Sequence, residues 1–273
     1  IWVKLGGWPL HLWSRFGRAL SLNAHAWLYA IVVPNLGAYL LYRVTPLLAL
    51  HTPWQTTALW LGAGGAALAA FIALTQDDLR SALIYVGAAQ AGLLLFAAAC
   101  DVGTAVWLGL LATTPLRLLL FLAGDAGRQT TRPPWRRAAG GFFALGGLAL
   151  TAFGLLITWW GREQNAPLDA LFVAEAAVAV TAMWVMREAR RLYSGPQRGE
   201  DRAPTRPYPE QWIAIGALGL AVLVGGAIAA LENTFTQKWA APIVAALAAV
   251  AFFVASVPSL YPRYNPPQTP NPT

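Results

Sequence analysis

In the stretch TPLRLLLFLAG, Thr114 to Gly124, one arginine stands among apolar residues. A charged side chain at the centre of a bilayer costs roughly 2.5–3.5 kcal/mol on insertion scales, so Arg117 either has a use there or escapes that cost. Its chemistry is restricted. A guanidinium does not deprotonate in proteins, so Arg117 can fix a positive charge but cannot hand a proton on. Glu175, inside LFVAEAAVAV, is an acid in the same kind of setting. A carboxylate there points either to proton or ion handling or to structural pairing with an arginine. Asp77, Asp78 and Arg80 fall between two apolar runs and read most simply as a short charged turn.

Other chemistries find little support. The single cysteine, Cys100, excludes an intrachain disulfide and a cysteine-based metal site. His11, His25 and His51 lack ligand spacing, and no nucleotide-binding loop or nucleophile constellation is visible. His25 reads as an interfacial polar residue, and Asp125 and Glu232 as solvated span ends. No cofactor is expected in this chain.

The elements that must hold these residues are set by composition. The 273 residues are 57% hydrophobic and only 11% charged, about half the charge of an ordinary soluble domain. Apolar blocks of about 20 residues recur, the length that crosses a bilayer. Hydropathy predicts eight spans near 22–43, 55–75, 81–100, 104–123, 139–160, 168–187, 210–231 and 239–259. Residues before 20, with Gly6, Gly7 and Pro9, read as a short broken or re-entrant segment. The fold class is therefore an all-α polytopic membrane protein with about eight transmembrane helices.

Basic residues are distributed unevenly between the connections. Arg15, Arg18, Arg80, Arg128, Arg132, Arg136, Arg137, the arginines from Arg187 to Arg206, and Arg263 fall on one side. Only Arg43, Arg162 and Lys238 fall on the other. The positive-inside rule places the first side, with the loops 125–138 and 188–209, in the cytoplasm or an equivalent compartment. Topology explains the net charge of +7 without nucleic acid. Trp13, Trp54, Trp159, Trp160, Trp212 and Trp239 lie near predicted span ends, where indole rings anchor at headgroup level.

Four motifs carry a family resemblance. ALTQDDLRSALIYVGAAQAG, Ala73 to Gly92, resembles a signature of the antiporter-like subunits of proton-pumping NADH:quinone oxidoreductase, photosynthetic NDH complexes and Mrp-type antiporters. Thr75, Gln76, Asp78, Leu79, Arg80, Tyr85, Gln90 and Gly92 match it. Upstream, Lys4, Pro9, His11 and Trp13 stand at the spacings of the family's lysine, proline, histidine and tryptophan. TTPLRLLLFLAG is similar to a family segment in which Arg117 takes the place of a lysine. WWGRE, more weakly, puts Arg162 and Glu163 on a functional pair. The resemblance covers about residues 1–195 and is best over 1–125, with a weaker match over 126–195 and two further helices and a tail over 196–273, all in one membrane domain.

The resemblance implies the C-terminal half of such a subunit, with Lys4, His11, Arg117, Arg162, Glu163 and Glu175 as proton-path candidates. It implies structural roles for Pro9, Trp13, Gln76, Asp78, Arg80 and Tyr85. Lysine and histidine suit such a path because burial and neighbouring charge bring their titration towards neutrality. Here Tyr29 replaces a histidine of the family, Asn35 stands where some members have lysine, and Gly109 and Thr113 replace histidines before the family lysine. Arg117 and Arg162 replace lysines. The family's proline pair is absent between Gly154 and Trp160, which predicts a continuous helix there and an interfacial Arg162. Arg117 then has two readings: a fixed charge in a hydrated channel, or a structural residue paired to an acid or reaching the interface.

Three functions follow as alternatives. The first is a membrane subunit of an energy-converting quinone oxidoreductase-like complex, derived from a proton-antiporter subunit. The second is a scaffold subunit of a photosynthetic or respiratory complex. The third is half of a proton or cation channel completed by a partner chain, because an inverted-repeat transporter needs both halves. Each implies a bacterial inner membrane or thylakoid location, with other membrane subunits and lipid as partners and no nucleic acid.

Overall fold

Proline and small polar residues place the helix starts. A computed structural model of the chain describes residues 1–11, 28, 32–130, 132–194 and 212–217. After a four-residue turn of helix, α1 (Trp2–Leu5), come α2 (Val33–Ala49), α3 (Thr52–Thr75), α4 (Leu79–Ala99), α5 (Gly103–Gln129), α6 (Pro133–Glu163) and α7 (Leu168–Ser194). Proline occupies the first turn of α2, α3 and α6, where its missing N–H leaves no intrahelical bond unmade. At the start of α4, the Asp78 carboxylate accepts from the Ser81 N–H at 2.9 Å and from its hydroxyl at 2.8 Å. A cap of this kind contributes about 1 kcal/mol. Residues 212–217 are also helical.

Among the described residues, α3 to α7 are long and apolar enough to cross a membrane. Helix α4 is buried on nearly every side, and its sequence is apolar all round, as a central helix requires. It meets α3 through reciprocal glycines. A Cβ on Gly62 would lie 2.8 Å from the Gly92 carbonyl oxygen, and one on Gly92 would lie 2.6 Å from that of Gly62. Small residues let two backbones approach closely where lipid supplies no hydrophobic drive between helices. The outward faces carry Phe71, Leu155 and Phe172, each more than half exposed, as a lipid-facing surface does.

Several helices run past the edges that hydropathy predicts. Helix α2 runs to Ala49 and not to 43, and α5 runs to Gln129 and not to 123. Helix α6 begins at Pro133 and α7 continues to Ser194. The expected loop 125–138 therefore contracts to a short connection after Gln129, and the expected loop 188–209 begins as helix. Hydropathy stops at the first charges, whereas at the ends of α5 and α7 the helices continue through charges that find partners. As predicted, α6 passes through Gly154 and Trp159 without a break. Helix α5 also absorbs Pro115. The N-terminal segment is broken as expected: α1 ends at Gly6, whose φ of 79° is left-handed. The predicted spans 210–231 (apart from 212–217) and 239–259 lie outside the described residues, as do Trp13, His25, Tyr29, Glu232, Lys238 and Trp239.

Candidate functional site

Twelve residues separate Arg117 from the end of α5 at Gln129, about 18 Å along the axis. The side chain cannot reach that end. Arg117 is 6% exposed, and its Nη2 donates to the Gly87 carbonyl of α4 at 3.3 Å. Its Nε is buried and has no hydrogen-bond partner among the described residues. No carboxylate pairs with it among those residues either. Neither form of the structural reading of Arg117 is met among the described residues: no described acid pairs with it, and it lies too far along α5 to reach the end at Gln129.

A cavity of about 40 Å³ lies against this guanidinium, walled by Leu5, His11, Pro34, Leu83 and Phe121. His11 is 2% exposed and sets its ring edge-on to Tyr85, with centroids 4.7 Å apart. One residue of the upstream motif, His11, and Arg117 of the later motif therefore line the same cavity. Lys4 does not join them. It is exposed on α1 and does not line the cavity, because the turn that buries Leu5 directs its neighbour outwards.

Around Arg117 the polar groups are closed on their own helices or neighbours. Thr113 donates to the Gly109 carbonyl at 2.6 Å, and Thr114 donates to Asn35 Oδ1 at 2.7 Å. At Gly109, two turns before Arg117, a Cβ would overlap Leu94 Cδ2 and lie 3.3 Å from the Phe153 ring. Where the resemblance placed a histidine, apolar side chains have filled the volume.

Arg162 and Glu163 do not form a buried pair. Arg162 bonds Glu175 instead, at 2.7 Å, with the two side chains 59% and 32% exposed, while Glu163 is exposed at the helix end. The continuous α6 carries both residues past the apolar segment. Glu175 thus has an arginine partner, the pairing that its structural alternative called for. Of the motif residues, Gln76 donates to the Ile72 carbonyl at 3.3 Å, Asp78 is the cap described above, Arg80 is half-buried, and Pro9 is exposed. Burial alone would raise the Asp78 pKa, but hydrogen bonds from Ser81 prevail and hold it below the usual carboxylate value.

One cluster escaped the sequence reading. Glu188, 2% exposed near the end of α7, accepts from Arg191 at 2.9 Å, Arg187 at 3.0 Å and Arg128 at 3.3 Å. Arg187 also donates to the carbonyls of Leu74 and Gln76, and Arg191 lies 3.7 Å from Asp77. The turn between α3 and α4, the end of α5 and the end of α7 are thereby tied together at one end of the bundle. Its only sequence signal was an acid three residues before an arginine, in a segment assigned to a loop.

Comparison with known proteins bears on this arrangement. Residues 1–188 match the family described as NADH:quinone oxidoreductase/Mrp antiporter, transmembrane. An NAD(P)H-quinone oxidoreductase chain 5 from Picosynechococcus is 24% identical over 225 residues, covering 73% of this chain and 34% of that protein. An NADH-ubiquinone oxidoreductase chain 5 from Halichoerus grypus is 24% identical over 194 residues, covering 67% and 31% respectively. The chain thus spans about a third of the length of the curated relatives it matches. With helices of spanning length and apolar outer faces, it is an all-α integral membrane protein. It belongs to the NADH:quinone oxidoreductase/Mrp antiporter transmembrane family.

Proposed function

We propose that the chain is a membrane subunit of an energy-converting quinone oxidoreductase-type complex, derived from an antiporter subunit, in which Arg117 is a fixed charge and not a proton carrier. One observation carries the reading. The buried cation sits where the family resemblance puts a lysine, yet the position two turns earlier is packed by Leu94 and Phe153. A proton relay needs groups that bind and release protons in sequence, linked by water or hydroxyls. Arg117 does not release its proton near neutral pH. Redox chemistry in this reading belongs to other subunits, and the partners of this chain are other membrane subunits and lipid. The arginine-rich end of the bundle faces the cytoplasm or its equivalent, by the asymmetry of charge.

Proton uptake by vesicles carrying the assembled complex tests the proposal, with wild type compared to Arg117→Met and Arg117→Lys at matched protein levels. Arg117→Met is expected to lower assembly or stability more than flux. Arg117→Lys is expected not to create strongly pH-dependent uptake. A methionine variant that assembles normally yet loses a reproducible share of uptake would place Arg117 in a working channel.

A further inference from the structure

We infer that the cavity beside Arg117 is a binding site for a small monovalent inorganic anion, with chloride the simplest case. The guanidinium is buried, carries a permanent charge and is unpaired by any carboxylate among the described residues. Its one hydrogen bond among the described residues, to the Gly87 carbonyl, is 3.3 Å long, and its buried Nε–H makes none among them. This is an incomplete coordination sphere around a cation, and a cavity adjoins it.

The cavity's size and walls select the ligand. Its volume of about 40 Å³ is enough for a monatomic ion with a water or two, since one water needs roughly 10–15 Å³ measured this way. Leu5, Pro34, Leu83 and Phe121 supply apolar walls, with His11 as the other polar side chain on the wall. Water alone would solvate the guanidinium but leave its net charge buried, at a cost of several kcal/mol after relaxation. A counter-ion removes that net charge, and Coulomb attraction strengthens as the surroundings become less polar. The nearby hydroxyls are engaged elsewhere: Thr113 on Gly109 and Thr114 on Asn35. The Nε–H is a buried donor without a partner among the described residues, and the guanidinium to which it belongs lines the cavity.

The inference stands on the geometry of Arg117 and not on the proposed subunit role, and its test reads no proton flux. The full chain, purified with whatever subunits accompany it, is exchanged into gluconate buffer and titrated with sodium bromide at constant ionic strength. The thermal unfolding midpoint should rise saturably with bromide, and bromide should give an anomalous peak beside Arg117 in crystals. Arg117→Met should abolish both signals, while Arg117→Lys, which keeps a charge, should retain binding weakened by about tenfold, or 1.4 kcal/mol. A wild-type midpoint indifferent to bromide overturns the inference, as does a bromide response that survives in Arg117→Met. Should the methionine variant not fold, the wild-type crystal decides: bromide absent from the Arg117 cavity rejects the site.

Discussion

Glu188 on α7 accepts a hydrogen bond from Arg128 on α5 at 3.3 Å, across 60 residues of chain. The same carboxylate holds Arg187 and Arg191, so one buried acid bridges the ends of two helices and, through Arg187, the α3–α4 turn. Replacing Glu188 with glutamine keeps the shape and removes the charge. Three arginines would then face one another around a neutral amide. Breaking a buried pair costs about 3–5 kcal/mol, but these arginines are 28–30% exposed and partly hydrated, so roughly 1–3 kcal/mol is expected. Chemical or thermal unfolding in detergent measures it. A loss below a few tenths of a kcal/mol would show that the cluster is ornamental.

Gly109 offers a second test, of whether the family relay can be restored. Its Cβ position is occupied by Leu94, with the Phe153 ring close behind. Gly109→His should overpack α5 against α4 and α6 and cost about 1–3 kcal/mol. Combined with Arg117→Lys it should still conduct no more than wild type, because Leu94 and Phe153 pack the position that the new ring would need. Strong pH-dependent uptake by that double variant would show that only the side chains, and not the packing, had closed the route.

Why some of this was legible in the sequence and some was not follows from what each signal measures. Hydropathy records burial of apolar length, and it located the cores of α3 to α7. It misplaced the ends of α5 and α7 because Arg128 and Arg191 both pair with Glu188 while remaining helical. Motif spacing singled out His11 and Arg117 separately, and the structure brings both to one cavity. Spacing says nothing about direction, so it could not show that Lys4 points away from that cavity or that Arg162 chooses Glu175. The cavity itself depends on packing between distant helices and has no linear signature.

The Arg162–Glu175 pair leads to a third expectation. Its side chains are 59% and 32% exposed, and pairs of this kind are worth about 0–1 kcal/mol. Arg162→Ala should therefore leave unfolding within that range of wild type, and proton uptake by the assembled complex unchanged. A clear fall in uptake without a fall in assembly would revive Arg162 as part of a path.

Sidedness is the last expectation, and it joins charge to geometry. Contacts of Glu188, Arg128, Arg187 and Gln76 put three connections at one end of the bundle. Helix α6 spans 31 residues, about 46 Å, so Gln164 after its last turn must lie at the other end. Cys100 is the sole cysteine and is buried, so a Cys100→Ser background leaves introduced thiols as the only targets. Arg132→Cys and Arg190→Cys, both at exposed positions outside the Glu188 contacts, should react with an impermeant maleimide from the cytoplasmic face alone. Gln164→Cys, also exposed, should react from the opposite face alone. Labelling of Arg132→Cys and Gln164→Cys from the same face would contradict a membrane-crossing α6. Labelling with the faces exchanged would keep the helices and overturn the orientation, showing that some other determinant outweighs the arginine-rich end.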